Sequence, residues 1–279
     1  MAQKTYKKRF ARAEFGSYKL NAFGISSVLK VLNLKKEYQQ NHRNGVLAVN
    51  DISFEASQGE FISIVGPSGC GKTTLLMCIA GLIKPSTGQV LVDGNVVNRP
   101  PRQMVMIFQN YVNSLFPWRT VLGNILFALE SRGISHREQL EIAESFLTRL
   151  GLGDFTRHYP WELSGGMQQR VAIARGLAYG SEVILMDEPF ASVDAQTRAD
   201  LEDFLLSVWN TYLKTILFVT HDIDEAVYLS DRVIVLSQRP SCVLGDIQVG
   251  LGRPRDQIKT KGDEEFIRIR NSIYEMIRS

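Results

Sequence analysis

The sequence predicts an α/β fold whose core is interrupted by a helical insert over roughly residues 110–180. Three observations favour this architecture. A strand, a glycine-rich loop and a helix follow one another over residues 61–80, and helical patterns fill the middle of the chain. Apolar strands then return after residue 180 with helices between them. This order of elements is typical of a layered α/β core.

The first half of the chain supplies the strand, the loop and the first helix. Apolar and polar residues alternate at residues 52–57, as in a half-buried strand. The apolar run Phe61–Val65 predicts a buried strand, and residues 66–71 predict a loop. Residues 73–80 then predict a helix that stops at Gly81.

The second half contains the insert and the returning strands. A second apolar run covers residues 104–108. Ser135 and Glu138 form a capping box, and the apolar residues behind them recur at helical spacing until Gly151. The chain shows no internal repeat. Further strands are predicted at residues 183–186, 216–220 and 233–236.

The composition is that of a globular protein that can bury a core. The chain has 279 residues, 44% of them hydrophobic, and its formal charge of +3 is too small to indicate a nucleic-acid partner. Three cysteines without ligand-like spacing argue against a disulfide framework or a zinc site and favour a reducing compartment. No apolar stretch approaches the roughly 18 residues that a membrane-spanning helix needs. The length fits two domains or one large α/β unit.

Residues 1–27 form a basic N-terminal extension, in which six lysines and arginines face a single acid, Glu14. The extension lacks the apolar region of a secretory signal. It is compatible with a solvated tail, with contact to anionic lipid headgroups, or with a cleaved targeting peptide.

A phosphate-binding loop is the strongest motif. It consists of Gly66, Pro67, Ser68, Gly69, Cys70, Gly71, Lys72 and Thr73, which fit the P-loop pattern in full. Its backbone amides can surround phosphate oxygens, Lys72 can reach the terminal phosphates and Thr73 can ligate Mg²⁺. A turn that binds nothing is the alternative, which the strand-to-helix context disfavours. The helix N-terminus also predicts a reactive Cys70 thiol that ATP would shield.

Two carboxylates directly follow the strand predicted at residues 183–186. Alone, Asp187 and Glu188 would more often be surface charges. With a P-loop present, Asp187 is placed to lie beside Mg²⁺ and Glu188 to activate a water molecule.

A second glycine-containing segment, residues 163–170, reads LSGGMQQR and lacks a lysine. In isolation it is most simply a helix capped by Ser164, with Gly165 and Gly166 in the first turn. Its helix N-terminus is also an anion site, and without a lysine or metal ligand it would complete a nucleotide site formed elsewhere.

Three single residues are ambiguous on their own. Gln109 could be an ordinary loop residue or could contact Mg²⁺ or water. His221 could cap a helix or donate a hydrogen bond to the γ-phosphate. Tyr38 fits a core aromatic or a ring that stacks on a base.

Taken in order, these motifs over residues 28–250 resemble the nucleotide-binding subunit of ATP-binding cassette (ABC) transporters. The resemblance implies a P-loop NTPase (RecA-like) core with an antiparallel β subdomain and an inserted α-helical subdomain, followed by a C-terminal helical tail at residues 251–279. It implies that two copies pair head to tail around two ATP molecules. Val193 and Met167 depart from the usual family residues without removing a group needed for chemistry.

The resemblance also assigns roles. The catalytic residues that it implies are Glu188 as base, His221 as γ-phosphate sensor, and Gln109. The implied Mg²⁺ ligands are Thr73, Gln109 and Asp187. The implied ATP contacts, besides the P-loop, are Tyr38, Thr74, Ser164, Gly165, Gly166 and Asp194.

Local segments resemble one importer group. Residues 116–121, 237–240 and 253–255 are similar to importers of nitrate, sulfonate, taurine and bicarbonate. This implies a separate transmembrane permease gripped near residues 116–118, a periplasmic or lipid-anchored solute-binding protein as indirect partner, and a peripheral place on the cytoplasmic face of the inner membrane. Importers of thiamine-precursor pyrimidines, exporters, soluble ABC ATPases and a small-molecule kinase are the alternatives, and residues 116–118 are alternatively core packing.

Overall fold

The computed structural model describes residues 27–40, 43–109, 114–191 and 193–278. The N-terminal extension up to residue 26 lies outside these residues. The strands are β1 (Ser27–Gln40), β2 (Arg43–Ser57), β3 (Phe61–Val65), β4 (Thr87–Val92), β5 (Asn95–Val96), β6 (Met104–Ile107), β7 (Val183–Asp187), β8 (Thr215–Val219), β9 (Arg232–Leu236) and β10 (Val243–Gln248). The helices are α1 (Lys72–Ile79), α2 (Val121–Glu130), α3 (His136–Arg149), α4 (Gly165–Tyr179), α5 (Ala195–Tyr212), α6 (Ile223–Leu229) and α7 (Glu264–Arg278).

A six-stranded sheet carries the centre of the fold. Its order is β10-β9-β3-β8-β7-β6, and all its neighbours pair in parallel except β10 and β9. Asp187 pairs with Val219 and Ile107 with Met186, so β6, β7 and β8 end at one edge. The loops that follow β3, β6, β7 and β8 therefore meet there, as in other open parallel sheets.

The two faces of this sheet bury separate sets of side chains. Along β3, Ile62 and Ile64 pack toward the four-stranded antiparallel sheet β2-β1-β4-β5 and α1. Phe61 and Val65 pack on the opposite face, with residues of α4, α5, α6 and α7. The alternation along a strand buried on both sides explains the continuous apolar run. The predicted α/β fold class is confirmed.

Between β6 and β7 the chain forms α2, α3 and α4. The capping box predicted for Ser135 and Glu138 is present at the start of α3. Ser164 caps α4 through the backbone N–H of Met167, at 3.4 Å. The helices pack against one another through buried apolar side chains of the same core that covers the central sheet.

The last helix packs on the core as well. Phe266, Ile269 and Ile273 of α7 are buried, and they form one apolar stripe at helical spacing. Among the described helices, none combines the length and the apolar character needed to cross a bilayer.

Candidate nucleotide site

The P-loop connects β3 to α1 in a conformation that its glycines permit. Gly69 and Gly71 have φ values of +73° and +119°, where other residues are strained. A Cβ on Gly71 would lie 2.9 Å from the carbonyl oxygen of Ala48. The glycine at position 71 is therefore required by both its backbone angle and the close approach of β2.

The Lys72 side chain folds back over the loop. Its Nζ donates to the carbonyl oxygens of Gly66 and Pro67, at 2.8 and 3.0 Å, and the residue is buried. The first turn of α1 begins at Gly71, which supplies no side-chain cap. The loop thus places a fixed ammonium group beside free helix N–H groups, which can donate hydrogen bonds to an anion.

Thr73 and Asp187 form a site that fits Mg²⁺. Burial raises the pKa of Asp187, while a hydrogen bond with the Thr73 hydroxyl and the Lys72 charge lower it. Asp187 Oδ1 is buried and has no hydrogen-bond partner within the described part of the chain. One carboxylate and one hydroxyl beside a phosphate loop are the donors that Mg²⁺ takes in nucleotide sites.

Gln109, Glu188 and His221 come together beyond the ends of β6, β7 and β8. Gln109 Nε2 donates to Glu188 Oε2 at 3.1 Å, and His221 Nδ1 lies 3.0 Å from the same oxygen. Glu188 has a φ of +45°, and its N–H donates to Val219 O at 2.9 Å. The strained backbone of a non-glycine residue aims this carboxylate at the edge of the sheet.

Tyr38 lies on β1 beside α1. Its hydroxyl is 3.4 Å from Thr74 Oγ1, and the Lys36 ammonium lies 5.2 Å from its ring centroid. The Tyr38 residue is 41% exposed, which excludes the core aromatic that the sequence also allowed. Tyr38 thus presents an accessible ring next to the helix that follows the P-loop.

The remaining predicted residues lie in two other places. Ser164, Gly165 and Gly166 begin α4, in the helical part between β6 and β7. The Asp194 carboxylate caps α5 through the N–H of Thr197, a hydrogen bond that lowers the pKa of Asp194. The two sets thus lie at the starts of two helices, and a Cβ on Gly166 would lie 3.7 Å from Val193, the neighbour of Asp194.

The burial of Cys70 contradicts the prediction of a reactive thiol. It is buried, with 1% of the residue exposed, so the thiol does not have the access that a reactive cysteine needs. The Sγ atom lies in the core beside Gly66, and the prediction of a reactive thiol was wrong.

The side chains that support His221 are not evident from the sequence. Thr220, Asp222 and Glu225 surround it in sequence and are joined by hydrogen bonds of the Thr220 hydroxyl. Arg198 on α5 contacts Asp222 and Glu225. An acid followed three residues later by another acid marks a helix start, and Asp222 rather than His221 caps α6. No local pattern indicates Arg198, because its partners are more than 20 positions away.

The sequence model of the ABC transporter family matches residues 49–191, about half of the chain. The chain belongs to the ABC transporter family. The match covers the P-loop, the LSGGMQQR segment and the Asp187-Glu188 pair, so this ABC protein carries its family's motifs in the geometry described above.

Curated relatives extend over nearly the whole ABC chain. An uncharacterized ABC transporter ATP-binding protein of Methanocaldococcus jannaschii is 50% identical over 250 residues, 90% of this chain and 91% of the relative. The nitrate import ATP-binding protein NrtD of Synechocystis sp. is 42% identical, over 85% of this chain and 90% of NrtD. The taurine import ATP-binding protein TauB of Yersinia pestis is 40% identical, over 88% and 95%.

A solved structure supports the same assignment. A dimeric ATP-binding cassette in a post-hydrolysis state, bound to ADP and Pi, superposes with a TM-score of 0.71 and 32% identity, over 80% of this chain and all of that one. The protein is therefore an ABC-type ATPase with the cassette fold.

Proposed function

We propose that this ATPase is the energy-supplying subunit of an importer for a small anion, and that it hydrolyses ATP as a head-to-tail dimer. The observation that carries the proposal is the Glu188 carboxylate, held by Gln109 and His221 at the sheet edge from which the P-loop starts. The names of the nitrate and taurine relatives support the anion as cargo.

Binding of ATP is assigned to β1, the P-loop and α1. Tyr38 would stack on the base, with Thr74 as its neighbour, and the loop amides with Lys72 would hold the phosphates. Thr73 and Asp187 would hold Mg²⁺, with Gln109 as a further ligand. When bound, Mg²⁺ supplies positive charge to the terminal phosphate oxygens.

Hydrolysis is assigned to Glu188 and its neighbours. The carboxylate accepts a hydrogen bond from water and orients it for attack on the γ-phosphate. Gln109 and His221 both contact Oε2 and so fix the direction of the carboxylate. The side chain of His221 is 56% exposed, so its ring is accessible from the solvent side of the site. There it would contact the γ-phosphate.

The second copy would complete the site through Ser164, Gly165 and Gly166. A Cβ on Gly166 would meet nothing nearer than Val193 Cγ1 at 3.7 Å, an ordinary contact. The chain's own packing therefore leaves room for a Cβ at Gly166, although glycine weakens a helix. Close approach of a phosphate from another copy explains this glycine, and Asp194 would follow at the same interface.

An apolar groove is the proposed binding site for the permease. It has a volume of about 720 Å³, and its lining includes Ile107, Phe116, Phe127 and Arg175. Phe116 packs against Phe127 at 4.6 Å between ring centroids, and Trp118 beside it is 69% exposed. An apolar groove with an exposed aromatic rim suits an amphipathic helix of a partner.

The cassette would then work on the cytoplasmic face of the membrane, with the solute chosen by the permease and by a solute-binding protein. Co-purification with the native membrane partner tests this part. Solute-loaded binding protein for nitrate, taurine, another sulfonate or bicarbonate should stimulate hydrolysis, and a binding protein for a thiamine-precursor pyrimidine should not.

Glu188→Gln tests the catalytic part. We expect retained ATP binding, an ATP-stabilised dimer, and a turnover reduced about a hundredfold or more, as for loss of a general base. Single-turnover hydrolysis and equilibrium ATP binding measure the two effects. Glu144→Gln, an exposed carboxylate on α3, is the control. Unchanged hydrolysis by Glu188→Gln would refute the role of Glu188.

A further inference from the structure

A buried hydroxyl connects the residues on both sides of His221. Thr220 Oγ1 donates to Glu225 Oε2 at 2.7 Å and accepts from the N–H of Asp222 at 3.0 Å. Asp222 Oδ1 in turn accepts from the N–H groups of Asp224 and Glu225 and caps α6. The backbone before and after His221 is therefore tied to the first turn of α6.

Arg198 connects this arrangement to α5. Its Nη1 lies 3.0 Å from Asp222 Oδ2, and its Nε lies 3.4 Å from Glu225 Oε1. Its backbone N–H makes an ordinary helix hydrogen bond to the carbonyl oxygen of Asp194, the residue that caps α5. The guanidinium group of a residue in the first turn of α5 thus contacts both carboxylates that follow His221.

We propose that Arg198 is a positioning residue for hydrolysis, which acts through Asp222, Thr220 and Glu225 to hold the His221 ring against Glu188. This inference rests on the proposed roles of His221 and Glu188. The His221 side chain is 56% exposed, whereas Thr220 and Glu225 are only 2% and 4% exposed. Packing does not fix so exposed a ring, so its position depends on its contact with Glu188 Oε2 and on the backbone on both sides of it.

Other contacts hold this part of the fold independently of Arg198. The N–H of Thr220 donates to Ile64 O on β3, at 3.2 Å. Arg253 and Arg255 donate to the last carbonyl oxygens of α6, Arg255 to Val227 and Tyr228 and Arg253 to Leu229. Loss of the Arg198 contacts should therefore disturb the orientation of residues 220–222 more than the attachment of β8 and α6.

A second ion pair on α5 provides a matched control. Lys261 Nζ lies 3.0 Å from Glu202 Oε2, and the Glu202 side chain is only 1% exposed. Lys261→Met, like Arg198→Met, removes a cation from a buried carboxylate, so both should lower the melting temperature. The Lys261 pair contacts neither Asp222 nor Thr220, and the Glu202 charge acts on Glu225 only through space.

The experiment compares Arg198→Met with Lys261→Met in the full chain, by steady-state ATP hydrolysis and thermal unfolding. Arg198→Met should lower kcat about tenfold or more, the effect of a misplaced catalytic group, with KM for ATP unchanged because the P-loop is intact. Lys261→Met should keep kcat at a similar loss of stability. An equal fall in kcat for both variants, or an unchanged kcat for Arg198→Met, would overturn the inference.

Thr220→Val covers the case in which Arg198→Met does not fold. It removes only the hydroxyl and should reproduce the loss of kcat. His221→Ala separates the inference from the proposed function: if this variant keeps full turnover, the proposed role of His221 fails. If His221→Ala loses turnover while Thr220→Val and Arg198→Met keep it, only the positioning inference fails.

Discussion

The ammonium group of Lys72 lies over the P-loop, where two carbonyl oxygens hold it at 2.8 and 3.0 Å. ATP phosphates placed on this loop would gain a charge-assisted hydrogen bond from it. We expect Lys72→Ala to weaken ATP binding roughly 10- to 100-fold, the equivalent of about 1.5–3 kcal/mol for a hydrogen bond to a charged group. Isothermal titration with ATP measures the change.

Lys214 is the matched control for this prediction. Its Nζ also donates to a carbonyl oxygen, that of Gly180 at 3.3 Å, and burial lowers the pKa of Lys214. Lys214 directly precedes β8, at the edge of the sheet opposite the P-loop, so Lys214→Ala should keep the ATP affinity of the native chain. Retained affinity in Lys72→Ala would show that this lysine does not bind the phosphates.

Residues of the site differ in how far the sequence reveals them. The P-loop can be predicted because its function requires a local backbone shape, such as the φ of +119° at Gly71. Glu188 can be predicted because it directly follows a buried strand. Arg198 could not be predicted, since only the packing of α5 against α6 brings it to Asp222 and Glu225.

The short helix α6 contains a buried carboxylate, that of Glu225. Burial raises its pKa from 4.5 to about 7; the Thr220 hydrogen bond and the Arg198 charge lower it, and the charges of Asp222 and Glu202 raise it further. The folded state therefore binds more protons than the unfolded state between these pH values. The stabilising contribution of protonated Glu225 is present below pH 4.5 and is lost as the pH rises through about 7.

We expect the Glu225 contribution to fall by about 3 kcal/mol over this window, since one pKa unit corresponds to about 1.4 kcal/mol. Urea unfolding at several pH values measures the slope, and Glu225→Gln should flatten it. Glu141→Gln, in an exposed pair with Arg137, is the control and should keep the native slope. A slope that is the same in Glu225→Gln and the native chain would contradict this pKa.

Elements with strong local signals were predicted well, and those set by distant pairing were not. β3, α1 and α3 have apolar runs or caps that are visible in the sequence. The long strand β1 has no clean alternation because its pairing with β2 shifts register repeatedly, and Asn33 has a φ of +48°. Such irregularities depend on the partner strand, which the local sequence does not specify.

At the scale of the whole molecule, the groups that the family resemblance assigns to one ATP lie on different parts of the chain. Lys72 and Glu188 lie at the strand edge, while Gly166 starts α4 in the helical part. A head-to-tail pair of copies would bring these parts together across the interface. Because each complete site would then require two chains, its population depends on protein concentration.

We therefore expect specific ATPase activity to rise with protein concentration until the dimer saturates, as measured over a dilution series with sedimentation in ATP as the parallel readout. Gly166→Arg should abolish activity at every concentration. A Cβ at this position meets nothing nearer than 3.7 Å within the chain, and thermal unfolding checks that the longer arginine side chain keeps the fold. ATP affinity of the isolated Gly166→Arg chain should stay native, because its own P-loop is untouched. A loss of affinity as large as that of Lys72→Ala would place Gly166 and Lys72 in one site of a single chain and refute the two-chain arrangement.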